Sequence, residues 1–144
     1  MIHQDTVRLL RECDSGVRMG VASLSKVTER TRSPRLTSML DESRKEHCRL
    51  GEEIERGLAD FDDTGRQPNT MALAMSNAKI ALMLAVKPND RTVAGLMTDG
   101  CNMGVKSLCR YINQYKAADE RSKDIAKKLV AMEAKLSEQL RDFL

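Results

Sequence analysis

His47 is the residue best placed to do chemistry. It is one of two histidines in the 144-residue chain; the other, His3, lies near the start. His47 falls in the series Leu36, Leu40, Ser43, His47, Leu50, Ile54, Gly57, Phe61. The alternating spacing of four and three is the period of a helix packed in a bundle, so the imidazole faces a core. Two readings follow. The ring is a metal or small-ligand group or an acid–base group inside the bundle. Or it is a structural histidine, hydrogen-bonded to Ser43 one turn back or to a buried water.

Four cysteines, Cys13, Cys48, Cys101 and Cys109, have no CxxC spacing. Cys101 comes nearest the level of His47. With Met132 these residues would form a set (His47, Cys101, Met132) suited to a single soft metal ion such as Cu(I). The alternative is no cofactor, with cysteine a small buried hydrophobe and the nine methionines fillers of irregular gaps. No phosphate-binding glycine loop, dinucleotide fingerprint, HExxH or nucleophile elbow is present. Glu46 and the other carboxylates form no confined pair by spacing, so no catalytic residue is assigned.

A short repeat marks the helices that would face His47. Met19-Gly20-Val21-Ala22-Ser23-Leu24 matches Met103-Gly104-Val105-Lys106-Ser107-Leu108 at five of six positions. Gly16 and Gly20, like Gly100 and Gly104, form small-xxx-small pairs. Glycine in a helix interior costs up to about 1 kcal/mol relative to alanine, so a packing or binding reason is expected. Gly20 and Gly104 fall near the level of His47. There they either let backbones close on the ring or leave a pocket beside it (Gly20, His47, Gly104).

The elements that must position these residues are helices. A helix is expected from about Gln4 to Arg32, ended by Ser33-Pro34, and a second from Pro34 to Phe61. The polar stretch Asp62–Asn69, with Gly65 and Pro68, reads as a crossover. A short apolar helix, Met71–Val86, precedes two further long ones, about Arg91–Ala118 and Glu120–Leu144. The expectation is an all-α single domain over residues 1–144, an antiparallel four-helix bundle of two helical hairpins with an extra short helix before the third long one.

Composition supports this: 41% hydrophobic, 31% charged, no Trp, two Tyr and two Phe suit helix better than sheet. The net charge of +3 is spread without a dense basic face, which argues against nucleic acid. No apolar run approaches the length of a membrane span. Met1–Asp5 lacks the basic-then-apolar pattern of an export signal, so a cytoplasmic location with reduced thiols is expected. Ile80–Val86 contains no polar residue. Such a segment needs cover on two sides, so Ile80, Leu82, Met83, Leu84 and Val86 are expected to mediate self-association, as a homodimer.

Two long hairpins, a crossover, glycines in the first and third long helices and a histidine midway along the second resemble the ferritin-like superfamily, above all its small, uncharacterised bacterial bundle families. In those bundles the third helix often carries a Gly-Glu pair with Tyr seven residues after the Gly. Gly104 and Tyr111 keep that spacing, while Val105 stands where the Glu would be, and Val21 at the matching place in the first helix. Di-iron chemistry in this superfamily uses a Glu from each of two helices and a Glu-x-x-His from each of the others. Arg44 stands three residues before His47, and the last helix has no His. The resemblance therefore implies the fold with a degenerate ligand set. A non-enzymatic bundle acting through self-assembly or partner binding is expected. The alternatives are a metal- or small-ligand-binding bundle centred on His47, and a di-iron oxidoreductase or ferroxidase.

Overall fold

The structure is a computed structural model that describes residues 2–63, 65 and 70–144, the side chains of 70–74 excepted. Among these residues there are five α-helices, a terminal 3-10 turn and no strand: α1 (Ile2–Thr28), α2 (Pro34–Ala59), α3 (Thr70–Val86), α4 (Asp90–Gln114), α5 (Glu120–Leu140) and the turn Arg141–Phe143. The protein is all-α. The expected crossover, Asp62–Asn69, lies largely outside the described residues. No helix among the described residues is long and apolar enough to cross a membrane.

Helix starts follow local chemistry. Ser33 caps α2 by accepting from Leu36 N, with Pro34 in the first turn, where its missing N–H is harmless. Asn89 caps α4 through Thr92 N, and Asp119 caps α5 through Ser122 N. Helix ends come earlier than the apolar periodicity suggests. α4 stops at Gln114 rather than near Ala118 because α1 holds the following turn. Ala117 N donates to the Asp5 carboxylate at 3.0 Å, and Asp119 N donates to Thr6 Oγ1 at 2.9 Å. At the other end of the molecule Asp90, in the first turn of α4, accepts from Arg32 N and Ser33 N, holding the α1–α2 turn. Each pair of helices thus carries the side chains that fix the turn of the other pair.

The interior divides into two apolar clusters. One gathers Leu9, Leu10, Cys13 and Val17 of α1, Leu50, Ile54 and Leu58 of α2, Leu108 of α4, and Ile125 and Leu129 of α5. The other gathers Leu24 and Val27, Leu36 and Leu40, Val93, Met97 and Cys101, and Leu136 and Leu140, with Ile80 and Leu84 of α3. The gap between them follows from sequence. At that level α1 supplies Gly20, α2 His47, α4 Gly104 and α5 Glu133, none of which can extend an apolar core.

α3 lies against the second cluster by one face only. Ile80 is 5% exposed and Leu84 3%. These two are therefore not available for the self-association expected of the whole segment, because α1 and α4 of the same chain cover them. Leu82, Met83 and Val86, with Met75, point outward.

Candidate functional site

His47 lies between the two apolar clusters and is 1% exposed. Its Nδ1 donates to the backbone carbonyl of Ser43 at 2.7 Å. Its Nε2 meets Glu133 Oε1 of α5 at 2.5 Å. These two contacts fix the proton count. A carbonyl oxygen only accepts, so Nδ1 carries a hydrogen, and a neutral imidazole would then turn the Nε2 lone pair toward a carboxylate oxygen. A proton must lie between Nε2 and Oε1, and the pair is an imidazolium–carboxylate or its tautomer. Burial pulls the imidazole pKa down. The Glu133 hydrogen bond and charge, the Ser43 carbonyl and the charge of Glu46 together outweigh it, and the net shift is upward from the ordinary 6.5. The ion-paired form is favoured.

Periodicity does not single out Glu133. The apolar series of α5 passes through Leu129, Met132 and Leu136, and Glu133 stands one turn after Leu129, beside Met132. A helix presents both its i+3 and i+4 positions to a neighbour. Here the i+4 position, Glu133, meets His47, while Met132 lies half-buried in a separate groove between α2 and α5 with Ser43 and Glu46. The carboxylate confined with His47 is therefore on α5. Of the set His47, Cys101 and Met132, the structure engages both ring nitrogens of His47 with Ser43 and Glu133, sets Cys101 against Glu133, and places Met132 in the groove with Ser43 and Glu46. Among the described residues, no group of three or more His, Cys, Asp or Glu side chains could hold a metal ion.

Cys101 is buried beside the pair. Burial first, then the charge of Glu133 and a hydrogen bond to it, push its thiol pKa far up. The Cys13 thiol is likewise pushed up to about 12 by burial and by its neighbours Glu12 and Asp14. Neither forms the thiolate that nucleophilic attack needs. Cys48 and Cys109 are exposed.

Over the His47–Glu133 pair opens a cleft of about 520 Å³ between α1 and α4. The repeated hexapeptide forms its walls. Met19, Gly20, Ser23 and Leu24 line one side, and their counterparts Met103, Gly104, Ser107 and Leu108 line the other. The glycine pairs make this opening, but the two walls differ in tightness. A Cβ on Gly20 would lie 3.1 Å from His47 Cδ2 and 3.3 Å from Nε2, so that backbone is closed onto the ring. A Cβ on Gly104 would lie 3.5 Å from Glu133 Oε2, an ordinary contact, and one on Gly100 would meet nothing within 4 Å among the described residues. Gly20 is thus packed close on the ring, while Gly104 has ordinary clearance at the border of the cleft. Gly100→Ala is expected to raise stability by up to about 1 kcal/mol, the helix-propensity difference without a steric penalty. A denaturant midpoint lower than wild type would show that Gly100 is sterically required.

Compared with family models, curated proteins and solved structures, the chain matches none.

Proposed function

We propose that the protein is a non-enzymatic, small-ligand-binding bundle of the ferritin-like, antiparallel four-helix type, with its ligand site in the cleft between α1 and α4. The arrangement is supported by the order of the contacts. Gly20 with His47, Val17 with Gly51 and Leu10 with Gly57 run in opposite directions along α1 and α2. Glu46 with Lys135, His47 with Glu133 and Glu53 with Lys128 do the same along α2 and α5.

One observation carries the functional reading: two hexapeptides matching at five of six positions line the facing walls of a cleft whose floor is a buried, proton-bearing histidine–carboxylate pair. Glycine on both walls forgoes packing and helix propensity, and the cleft is the return for that loss. The absence of catalysis rests on the floor itself, where the imidazole is spent on Glu133 and Ser43 and the nearby thiol stays protonated. The di-iron reading is weakened by the same geometry, which brings a single carboxylate, Glu133, onto His47. Purified protein is expected not to oxidise Fe(II) above the buffer rate, and rapid stoichiometric oxidation would restore that reading.

The test is to fill the cleft. Gly100→Leu projects a side chain into open space and should leave the fold intact. In a thermal-shift screen of small apolar molecules, hits should raise the Tm of wild type and not of Gly100→Leu. A screen in which the two proteins respond alike would refute the site.

A second reading has its own observation. Leu82 is 66% exposed, Val86 69% and Met75 68%, all on the outer face of α3, whose only charged residue is Lys79. We propose that this face pairs two copies of the chain. Light scattering giving a clean 16 kDa species at tens of micromolar would refute it.

A further inference from the structure

We infer that the ligand of the cleft is a small apolar molecule carrying a cationic amine, held by Glu133 Oε2; this rests on the cleft being a ligand site. The floor of the cleft determines what a ligand must carry. His47 is 1% exposed in its side chain and both its nitrogens are occupied, so it offers a ligand no hydrogen-bonding atom. Glu133 is 15% exposed in its side chain. Its Oε1 takes the imidazole, the carboxylate also accepts from the Cys101 thiol, and its Oε2, at the cleft wall by Gly104, has room for a further donor. An ionised carboxylate oxygen only accepts, so a molecule reaching the floor must bring a donor.

The sign of that donor follows from the rest of the lining. Among the described residues that form the cleft there is no Lys or Arg. The two charges of the pair are spent on each other, but only its carboxylate end reaches the cleft, so a carboxylate or phosphate would meet an acceptor rather than a cation. An ammonium group would gain a charge-assisted hydrogen bond in partly desolvated surroundings. The body of the ligand is apolar because the walls are. Met19, Met97 and Met103 are unbranched and adaptable.

Three probes of one shape decide it: benzylamine, benzyl alcohol and sodium benzoate, titrated into the full-length protein at pH 7 and followed by NMR. Benzylamine should bind about tenfold more tightly than benzyl alcohol, the worth of replacing a neutral hydrogen bond by a charged one, and benzoate should bind weakest. Glu133→Gln should remove the amine's advantage and leave the alcohol unchanged. Should that variant not fold, Gly104→Leu keeps the charge and covers Oε2, and it should remove the same advantage. Benzoate binding as well as the amine, or an amine preference that survives in the folded variant, would overturn the inference while leaving the ligand cleft standing. If none of the three binds wild type more tightly than Gly100→Leu, both the inference and the cleft's role fall together.

Discussion

Glu133→Ala is expected to lower the unfolding free energy by about 2–3 kcal/mol at pH 6. Truncation leaves the Nε2–H of a buried imidazolium without an acceptor. Breaking a buried pair by removing one partner costs roughly 3–5 kcal/mol, discounted here because the carboxylate keeps 15% exposure and His47 can escape by losing its proton. Glu133→Gln is the informative companion. Its amide N–H can donate to the Nε2 of a neutral imidazole, whose Nδ1–H still serves Ser43. At pH 8.5 the Gln variant should match wild type within about 0.5 kcal/mol. At pH 6 it should fall behind, because an amide offers the imidazolium no opposite charge. Urea midpoints for the three proteins at the two pH values decide this. An Ala variant as stable as wild type at pH 6 would mean that the pair contributes nothing.

The sign of the pH dependence is fixed by the same contacts. The folded pKa of His47 stands above the ordinary 6.5. The folded state therefore holds its proton where the unfolded chain has lost it. The stabilisation is complete below about pH 6.5 and is lost as pH rises through the folded value. The charged groups around the ring are few: Glu133 from α5 and Glu46 from α2, with the protonated Cys101 thiol from α4 and the side-chain-free Gly20 from α1. The raised thiols of Cys13 and Cys101 act in the same direction, but only once unfolded cysteines ionise, near the ordinary 9.0. A window from pH 5.5 to 8.5 isolates His47. Wild type should lose stability across it, and His47→Gln should not.

The helices and the place of His47 were legible because the period of three and four is written along α2, and Ser33-Pro34 marks a boundary that backbone sterics enforce. The level of Gly20 and Gly104 was legible from the repeat. Glu133 was not, because a charged residue beside an apolar stripe is usually solvated. Only the packing of α5 on α2 distinguishes Glu133 from Lys135 or Glu138. The early ends of α1 and α4 were hidden for a related reason. Thr28 closes α1 through its hydroxyl to Leu24 O, and Asp5 and Thr6 draw the α4–α5 turn toward α1 across more than a hundred residues of chain. Burial of Ile80 and Leu84 but not Leu82 or Val86 depends on where α3 lands, which a segment apolar on every side leaves open.

Identical residues on the two walls of the cleft should respond oppositely to the same substitution. Gly20→Ala places a methyl 3.1 Å from His47 Cδ2, and the ring cannot retreat, since Ser43 holds one nitrogen and Glu133 the other. Overpacking of this kind costs about 1–3 kcal/mol, against a helix-propensity gain of up to about 1. The net loss should be about 1 kcal/mol for Ala and about 2–3 for the bulkier Gly20→Val. Gly104→Ala meets Glu133 at an ordinary 3.5 Å and should keep the propensity gain, raising stability by up to about 1 kcal/mol. The damage at Gly20 should also be pH-dependent. A methyl that tilts the ring loosens the bond at Nε2, so Gly20→Val should lose part of the stability difference between pH 5.5 and 8.5 that wild type displays. A Gly20→Ala midpoint equal to or above wild type, with an unchanged m-value, would mean that α1 does not close on His47, and that the ring rather than the Glu133 carboxylate is what a ligand reaches.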